Sequence, residues 1–346
     1  MLLLRYYYYL VPGTQPHHPW GSRLGPLPPG PPGALLALSS DIVVLDEYMV
    51  FNVLLAASLG ESIGMAAVLG VDSPGILVSG LYAYGAITEA MMILADNIVD
   101  NCGFNPEEYA GSLAGRASLD NPLRMYDPGT AEVLLKVRRG VPWWVAREQV
   151  STPSSRLDAA ARGVPVVLFY SNRRLAATMA VAQALVTHVD ERDLEAARLY
   201  ALALHTMLYA GVKPDEVPLL LMDETDNSLL RELLARIPDL LDEPEQRAAK
   251  LLLLSPCKSP HPLGVALYTA LRYNQPSIAA RHAATICGQS NNAVPAASMA
   301  AVLALVLSNG ELGGDRVIAE KLEAYDDLRR RAAALRWAAL KCRSQL

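Results

Sequence analysis

From Asp41 onward, leucine, alanine and valine recur at steps of three and four residues, and alternating β-branched runs are rare. Such spacing places the apolar side chains on one face of a helix, whereas a half-buried strand needs strict alternation. Stripes of this kind run through residues 174–188, 194–208 and 229–240. The pattern predicts an all-α fold.

Several helix starts can be predicted from local signals. Asn105 stands before Pro106 and has Glu108 in the first turn, which is the order that suits a capped helix N-terminus. Pro276 and Asp242 mark two further starts in the same way. The residues from 315 to 346 mix Glu, Arg and Ala with few turn formers, so we expect one long solvated helix there.

The longest apolar run covers residues 293–307 and contains Pro295 and Ser298. It is shorter than the roughly 18 apolar residues that a membrane-spanning helix needs. We therefore expect a buried core helix and no membrane partner. The first ten residues have no small-residue cleavage site, so they make a poor secretory signal and the protein is expected to be cytoplasmic.

The amino-terminal stretch has a different composition. Eight of the 24 prolines fall between Pro12 and Pro32. Such a stretch forms neither a helix nor a central strand. We expect residues 1–40 to be a proline-rich, flexible extension and residues 41–346 to form a single all-α domain.

The net charge and the spacing of the cysteines make some functions of the chain less favoured than others. Thirty basic against 35 acidic side chains give a net charge of −5, which disfavours a broad electrostatic contact with nucleic acid. Cys102, Cys257, Cys287 and Cys342 lack the paired spacing of a zinc site or a redox motif. We expect them to be reduced and mostly buried thiols.

Common catalytic signatures are missing: the sequence has no GxSxG elbow, P-loop or HExxH motif. His188, His205 and His261 are each interpreted as structural, because they stand alone on helices or at a helix entry. The acidic residues Asp223, Glu224 and Asp226 could bind a hard cation. The preferred interpretation is a solvated loop in which Asp226 or Asn227 caps the next helix.

Weak motifs follow one another along the chain in a definite order. A helix over residues 51–59 leads into residues 60–64 (GESIG), and residues 85–90 (GAITEA) open another helix. Residues 126–130 (YDPGT) are followed by a helical stretch and by residues 140–143 (GVPW). Ala159, Ala160, Arg162 and Pro165 come next, then the pair Thr187 and His188, and finally residues 288–292 (GQSNN) before an alanine-rich helix.

In this order and spacing, the elements resemble those of the ADP-ribosylglycohydrolase family over about residues 41–309. The resemblance implies a compact, multi-helix orthogonal bundle. Members of the family hold two magnesium ions between a Thr-Asp-Asp element and an Asp-Thr-Asp-Thr element, with help from an early glutamate. The metals orient the distal ribose of an ADP-ribosyl group and a water for cleavage of the glycosidic bond.

This sequence departs from the family at those positions. The residues found there are Glu89 and Ala90 for the first two aspartates, Val68 for the early glutamate, Gln289 and Asn291 for the second two aspartates, and Asn292 for the threonine. Five expected carboxylates are thus reduced to one, Glu89. Neutral amides cannot neutralise two dications in a partly dry site. We therefore predict no metal site and no cofactor.

Three functions remain open. The first is a non-catalytic homologue that binds ADP-ribose, a related nucleotide or a protein partner. The ligand-binding residues that the resemblance implies are Thr88, Glu89, Tyr126, Gly129, Gly288, Gln289, Ser290, Asn291 and Asn292. An alternative for Glu89 and for residues 289–292 is that they only cap two helix N-termini.

The second function is a hydrolase with an altered, metal-free site, in which Glu89 is the catalytic general base and Asp158 or Asp127 assists. The third is a structural or assembly protein, as in the family's resemblance to a lens crystallin. A cleft filled by Leu157, Val68 or the proline-rich segment would favour this third function.

Overall fold

A computed structural model of the chain describes residues 45–154, 156–252, 257–258 and 261–342. These residues belong to the unit that runs from Val43 to Leu346. The expectations for the proline-rich residues 1–40 lie outside the described residues.

The described part of the chain is helical apart from one short hairpin, as predicted. In chain order the elements are α1 (Glu47–Val68), β1 (Leu77–Val78), β2 (Leu81–Tyr82), α2 (Ala86–Asn101), α3 (Pro106–Arg116), α4 (Pro128–Arg138), α5 (Trp143–Ala146), α6 (Asp158–Ala161), α7 (Val164–Phe169), α8 (Arg173–Ala184), α9 (Glu191–Tyr209), α10 (Val217–Asp223), α11 (Ser228–Leu240), α12 (Glu245–Leu252), α13 (His261–Tyr273), α14 (Pro276–Cys287), α15 (Ala293–Leu307), α16 (Arg316–Ala319) and α17 (Tyr325–Lys341). Short 3₁₀ turns cover Pro122–Arg124, Arg147–Gln149, Pro214–Glu216 and Gly313–Asp315.

Helix α1 runs through the centre of the fold. Asp46 caps it by accepting a hydrogen bond from the backbone N–H of Met49 at 2.7 Å. Within the described residues, α1 is long and apolar enough to cross a membrane by length and composition, and 94% of that stretch is buried inside the protein. A core helix surrounded by other helices has this character, because every face of it contacts apolar neighbours.

Helix α15 packs against α1, α13 and α14. The prediction of a buried core helix over residues 293–307 is confirmed, since every α15 residue except Leu307 is buried. Alanines allow α15 to approach α1 closely, and Gly60 and Gly64 of α1 lie at the contact. A Cβ atom on Gly60 would lie 2.4 Å from the carbonyl oxygen of Ala297.

Two of the predicted helix starts are confirmed and one is shifted. The Asn105 side chain accepts from the backbone N–H groups of Glu107 and Glu108, and α14 begins at Pro276. The start predicted at Asp242 was wrong by two to three residues, because Asp242 lies in a turn after α11 and α12 begins at Glu245. The carbonyl of Pro244 accepts the first helical bonds of α12, and a proline favours the first turn of a helix.

Two predicted helices end earlier than the apolar pattern suggested. Helix α8 stops at Ala184 rather than continuing to His188. The predicted tail helix is divided into α16 and α17, and α17 ends at Lys341. Residues between them leave the helix because the backbone of Lys321 and Glu323 pairs with Tyr82 of β2.

The expectation of reduced cysteines was wrong. Cys102 at the end of α2 forms a disulfide with Cys342 after α17, across a sequence separation of 240 residues. Cys257 forms a second disulfide with Cys287 at the end of α14. Spacing along the chain could not indicate these pairs, because both depend on how distant helices pack.

Candidate functional site

The N-terminus of α2 is capped by a carboxylate from another helix. Glu61 is fully buried in α1, and its two oxygens accept from the backbone N–H of Ile87 at 2.7 Å and of Thr88 at 3.0 Å. Burial raises the pKa of Glu61, and hydrogen bonds from the Thr88 side chain and from the α2 backbone oppose that rise. The sequence suggested that the opening helix ends in the element at residues 60–64, but α1 continues to Val68 and holds Glu61 within the helix.

We expect Glu61→Leu to lower the free energy of unfolding by about 2 kcal/mol, because it leaves two helix N–H groups without an acceptor in a dry environment. Chemical denaturation would measure the loss. Glu61→Gln is the matched control, since its amide oxygen keeps one acceptor and should retain part of the stability. Equal losses for the two variants would contradict the capping role.

Glu89, the predicted catalytic residue, lies one turn into α2 and is buried. Its Oε2 accepts from the backbone N–H of Ser118 at 2.9 Å and from the Tyr126 hydroxyl at 2.7 Å. Its Oε1 accepts from the Ser118 hydroxyl at 2.6 Å, and the Nε of Arg124 lies 3.8 Å from the same oxygen. Both carboxylate oxygens are therefore engaged by groups of the protein itself.

The two proposed helper acids also have local partners. Asp127 caps α4 by accepting from the backbone N–H groups of Gly129 and Thr130 at 3.0 and 3.2 Å. Asp158 at the start of α6 forms a buried ion pair with Arg156, with 3.0 Å between Nη2 and Oδ1. Burial raises the pKa of Asp158, and the Arg156 charge opposes this. Neither acid is hydrogen-bonded to Glu89.

Arg156 and Leu157 link two groups of predicted site residues, the one around Glu89 and Tyr126 and the one at residues 288–292. Arg156 donates to the carbonyl of Met125 at 2.8 Å, next to Tyr126. The backbone N–H of Leu157 donates to Oδ1 of Asn292 at 3.0 Å, at the N-terminus of α15. Leu157 is fully buried. Leu157 therefore lies buried next to the N-terminus of α15, whereas Val68 is half-buried at the end of α1.

Residues 288–292 lie between α14 and α15. Gly288 has a φ of +60°, Gln289 and Asn291 are exposed, and Asn292 is buried. The Ser290 hydroxyl donates to the carbonyl of Cys257 at 2.9 Å and accepts from the backbone N–H of Asn292 at 3.3 Å. This loop is thus partly a helix cap, through Ser290, and partly a solvent-exposed polar surface.

Three further predicted residues are held by packing. Thr88 is fully buried behind Glu61. Tyr126 is half-buried. Its burial raises the pKa of its hydroxyl, and the neighbouring Glu89 charge raises that pKa further. Gly129 has the backbone of residues 152–154 against it, since a Cβ there would lie 2.5 Å from the carbonyl oxygen of Thr152.

The dinuclear magnesium centre of the related family does not fit these residues. Throughout the described ranges, no group of three or more His, Cys, Asp or Glu side chains is arranged to hold a metal ion. Glu89 already accepts three hydrogen bonds, and the amide oxygen of Asn292 accepts from Leu157. Hard dications need several anionic oxygen ligands, which this set does not supply.

A cavity of about 300 Å³ lies where the C-terminal ends of α1 and α14 meet. Its polar lining comes from Asp72, Ser73, Arg281 and Thr285, and its apolar lining from Ile63, Ala67, Val71 and Pro74. Its volume lies at the lower end of the range for small-molecule sites, which is about 300–1000 Å³. Sequence reasoning missed this cavity, because nothing in the spacing of residues 72 and 281 indicates that they meet.

The predicted structural histidines are confirmed as packed, hydrogen-bonded groups. His188 accepts at Nδ1 from the Thr187 hydroxyl at 2.8 Å and donates from Nε2 to the carbonyl of Arg156 at 2.9 Å. The Arg156 carbonyl places a proton on Nε2, because a carbonyl can only accept. His205 bonds the carbonyl of Ser171, and His261 bonds that of Lys258.

His188 should make folding pH-dependent. Burial, reinforced by the charge of Arg162, lowers the pKa of His188 from 6.5 to about 4. The unfolded state then binds the proton first, so this stability is present above pH 6.5 and is lost as the pH falls toward 4. We expect a loss of about 2 kcal/mol between about pH 7 and about pH 5 from this group. Urea unfolding at both pH values measures it, and His188→Gln should remove that part of the dependence. An unchanged dependence in the variant would contradict the assignment.

The acidic cluster behaves as the preferred interpretation predicted. Asn227 caps α11 by accepting from the backbone N–H of Leu230 at 3.2 Å. Glu224 pairs with Arg173 at 2.7 Å and lies 3.7 Å from Arg198. This carboxylate is therefore neutralised by arginines.

The chain was compared with known protein families, sequences and solved structures. The family model of ADP-ribosylglycohydrolase matches residues 50–336. A solved structure of an ADP-ribosylglycohydrolase-related protein complex superposes with a TM-score of 0.60 at 17% identity, and the match covers 85% of this chain and 98% of the other. At that identity the likeness supports the fold alone.

One relative is an uncharacterised protein of Archaeoglobus fulgidus, 27% identical over 151 residues. The aligned part covers 43% of this chain and 44% of the relative, so the chain matches less than half of that protein. The family match extends much further, from within α1 to within α17, and includes every site residue described above. The chain belongs to the ADP-ribosylglycohydrolase family.

Proposed function

We propose that this protein is a non-hydrolysing member of its family that binds an ADP-ribosyl or related nucleotide ligand. The observation that carries the first part is that groups of the protein already hydrogen-bond both oxygens of Glu89. Three donors from Ser118 and Tyr126 occupy its oxygens, and Arg124 lies beside it. A general base needs a free lone pair directed at the water or hydroxyl that it deprotonates.

The second part of the proposal is supported by the cavity between α1 and α14. Among the described residues no carboxylate lies within ion-pair distance of Arg281, and Arg281 lines the cavity. A guanidinium binds phosphate oxygens in a two-pronged geometry. Asp72, Ser73 and Thr285 can hydrogen-bond ribose hydroxyls, while Val71 and Pro74 offer apolar contact to a base.

Thermal unfolding with and without ADP-ribose tests binding, because a ligand that binds only the native state raises the midpoint. At a ligand concentration of about 100 times Kd, the stabilisation is about 2.7 kcal/mol. We expect the shift to be the same with magnesium and with chelator. Arg281→Ala should abolish it, whereas Arg174→Ala, an exposed arginine on α8 remote from the cavity lining, should keep it.

Each other outcome has a definite meaning. A shift that requires magnesium would mean that the amides of residues 289–292 hold metal, and would contradict the metal-free site. No shift under any condition would favour the structural or assembly role.

Hydrolysis is tested separately with an ADP-ribosylated peptide as substrate. We expect release of ADP-ribose no faster than the buffer blank. Release by the wild type that is lost in Glu89→Gln, with both proteins equally folded, would contradict the proposal and establish Glu89 as a catalytic residue.

A further inference from the structure

The hairpin formed by β1 and β2 has one covered edge. The strands pair antiparallel, with Val78 opposite Leu81 and Leu77 opposite Tyr82. On the outer side of β2, the backbone N–H of Tyr82 donates to the carbonyl of Lys321 at 2.7 Å. The carbonyl of Tyr82 accepts from the N–H of Glu323 at 2.9 Å. The segment between α16 and α17 therefore occupies this edge.

The opposite edge, on β1, is open. Backbone groups of an antiparallel strand alternate between the partner strand and the outside. The carbonyl of Ile76 accepts from Ala83 and Val78 pairs with Leu81, so the N–H and C=O of Leu77 point away from β2. No residue in the described ranges hydrogen-bonds them.

The same region is apolar and exposed. Of fifteen large hydrophobic side chains exposed in the described residues, five fall between positions 69 and 81. They are Leu69, Val71, Leu77, Val78 and Leu81, and Leu77 is 57% exposed. A concentration of exposed apolar side chains in one short stretch of chain favours an interaction site there.

The edge carries none of the charges that usually prevent association. Residues 73–88 contain no Asp, Glu, Lys or Arg, in a chain that has 65 of them. Soluble proteins commonly protect sheet edges with charged side chains, bulges or proline. The hairpin is also held firmly, since Gly75 is packed against Ser62 and Tyr82.

We propose that β1 pairs with β1 of a second copy of this chain across a twofold axis, so that two hairpins form one four-stranded sheet. Antiparallel pairing of identical strands is self-complementary, as an isologous interface requires. Leu77 would exchange both backbone hydrogen bonds with the same residue of the second copy. Because the stretch is uncharged, no like charges meet on this strand, and the apolar side chains of the two copies cover one another.

Sedimentation velocity of the full-length protein over a range of micromolar concentrations tests the proposal. The wild type is expected to dimerise. Leu77→Lys should weaken the dimer about tenfold or more, because a charge enters each side of the new strand pair. Leu219→Lys, which changes a 46% exposed leucine on α10, is the matched control and should dimerise like the wild type.

Equal thermal midpoints of the two lysine variants would show that both are folded. A wild type that stays monomeric throughout the range overturns the proposal, even where the hairpin binds a strand from another protein. A dimer that survives Leu77→Lys unchanged overturns it as well, because the interface then lies elsewhere.

Discussion

Gly60→Ala is expected to lower the free energy of unfolding by about 3 kcal/mol, although alanine is the better helix former. The added methyl group would lie 2.4 Å from the carbonyl oxygen of Ala297 and 2.8 Å from Cβ of Ala301. The Ala297 oxygen and Cα of Ser298, which would lie 2.8 Å away, belong to the α15 backbone, which cannot move aside as a flexible side chain can. Helix α1 would have to move away from α15, against which it packs.

Gly111→Ala is the matched control for this prediction. Gly111 also lies inside a helix, α3, but a Cβ there meets nothing within 4 Å. The substitution should therefore stabilise the protein by about 0.5–1 kcal/mol, through helix propensity and the lower entropy of the unfolded chain. Urea denaturation of both variants measures the difference. A Gly60→Ala protein as stable as the wild type would contradict the close approach of α1 and α15.

Removal of the Cys102–Cys342 disulfide is expected to produce the other large loss. The bond joins the end of α2 to the end of α17 across 240 residues of chain. Loop-closure entropy alone gives about 5.5 kcal/mol for a loop of that length, and measured disulfides commonly deliver less. We expect the double variant Cys102→Ser with Cys342→Ser to lose about 4 kcal/mol of stability.

The second disulfide supplies the comparison. Cys257 and Cys287 are 30 residues apart, for which the same relation gives about 3.6 kcal/mol. Their double serine variant should therefore be the more stable of the two. Urea unfolding of both variants measures this order. Titration of free thiols in the denatured, unreduced wild type is the independent check, and four reactive thiols would contradict both disulfides.

Two buried carboxylates lie near the N-terminus of α2. Glu61 caps α2 from α1, and Glu89 bonds Ser118 and Tyr126. Both carboxylates serve hydrogen bonds that hold helices together. Of the five positions where the resemblance led us to expect metal-binding carboxylates, one carries an acid, Glu89, and that acid lies in a hydrogen-bond network with Ser118 and Tyr126.

Residues that act over short distances could be predicted from the sequence. The cap at Asn105, the cap at Asn227 and the core helix over residues 293–307 all depend on neighbours within a few positions. The order of family motifs led to Glu89, Tyr126 and Asn292 as site residues. Their partners Ser118, Arg124 and Leu157 were not predicted as such, because these contacts join segments that are far apart in sequence.

The sequence by itself determined the all-α class and the family, because the spacing of residues along the chain shows both the helical periodicity and the order of the motifs. Only the tertiary structure decided that Glu61 caps a distant helix, that four cysteines form two disulfides, and that Tyr82 breaks the tail helix by pairing with Lys321 and Glu323. These features depend on which buried polar groups and chain ends meet when the helices pack. That outcome is set by the burial of the whole core, because each buried donor and acceptor must find a partner there.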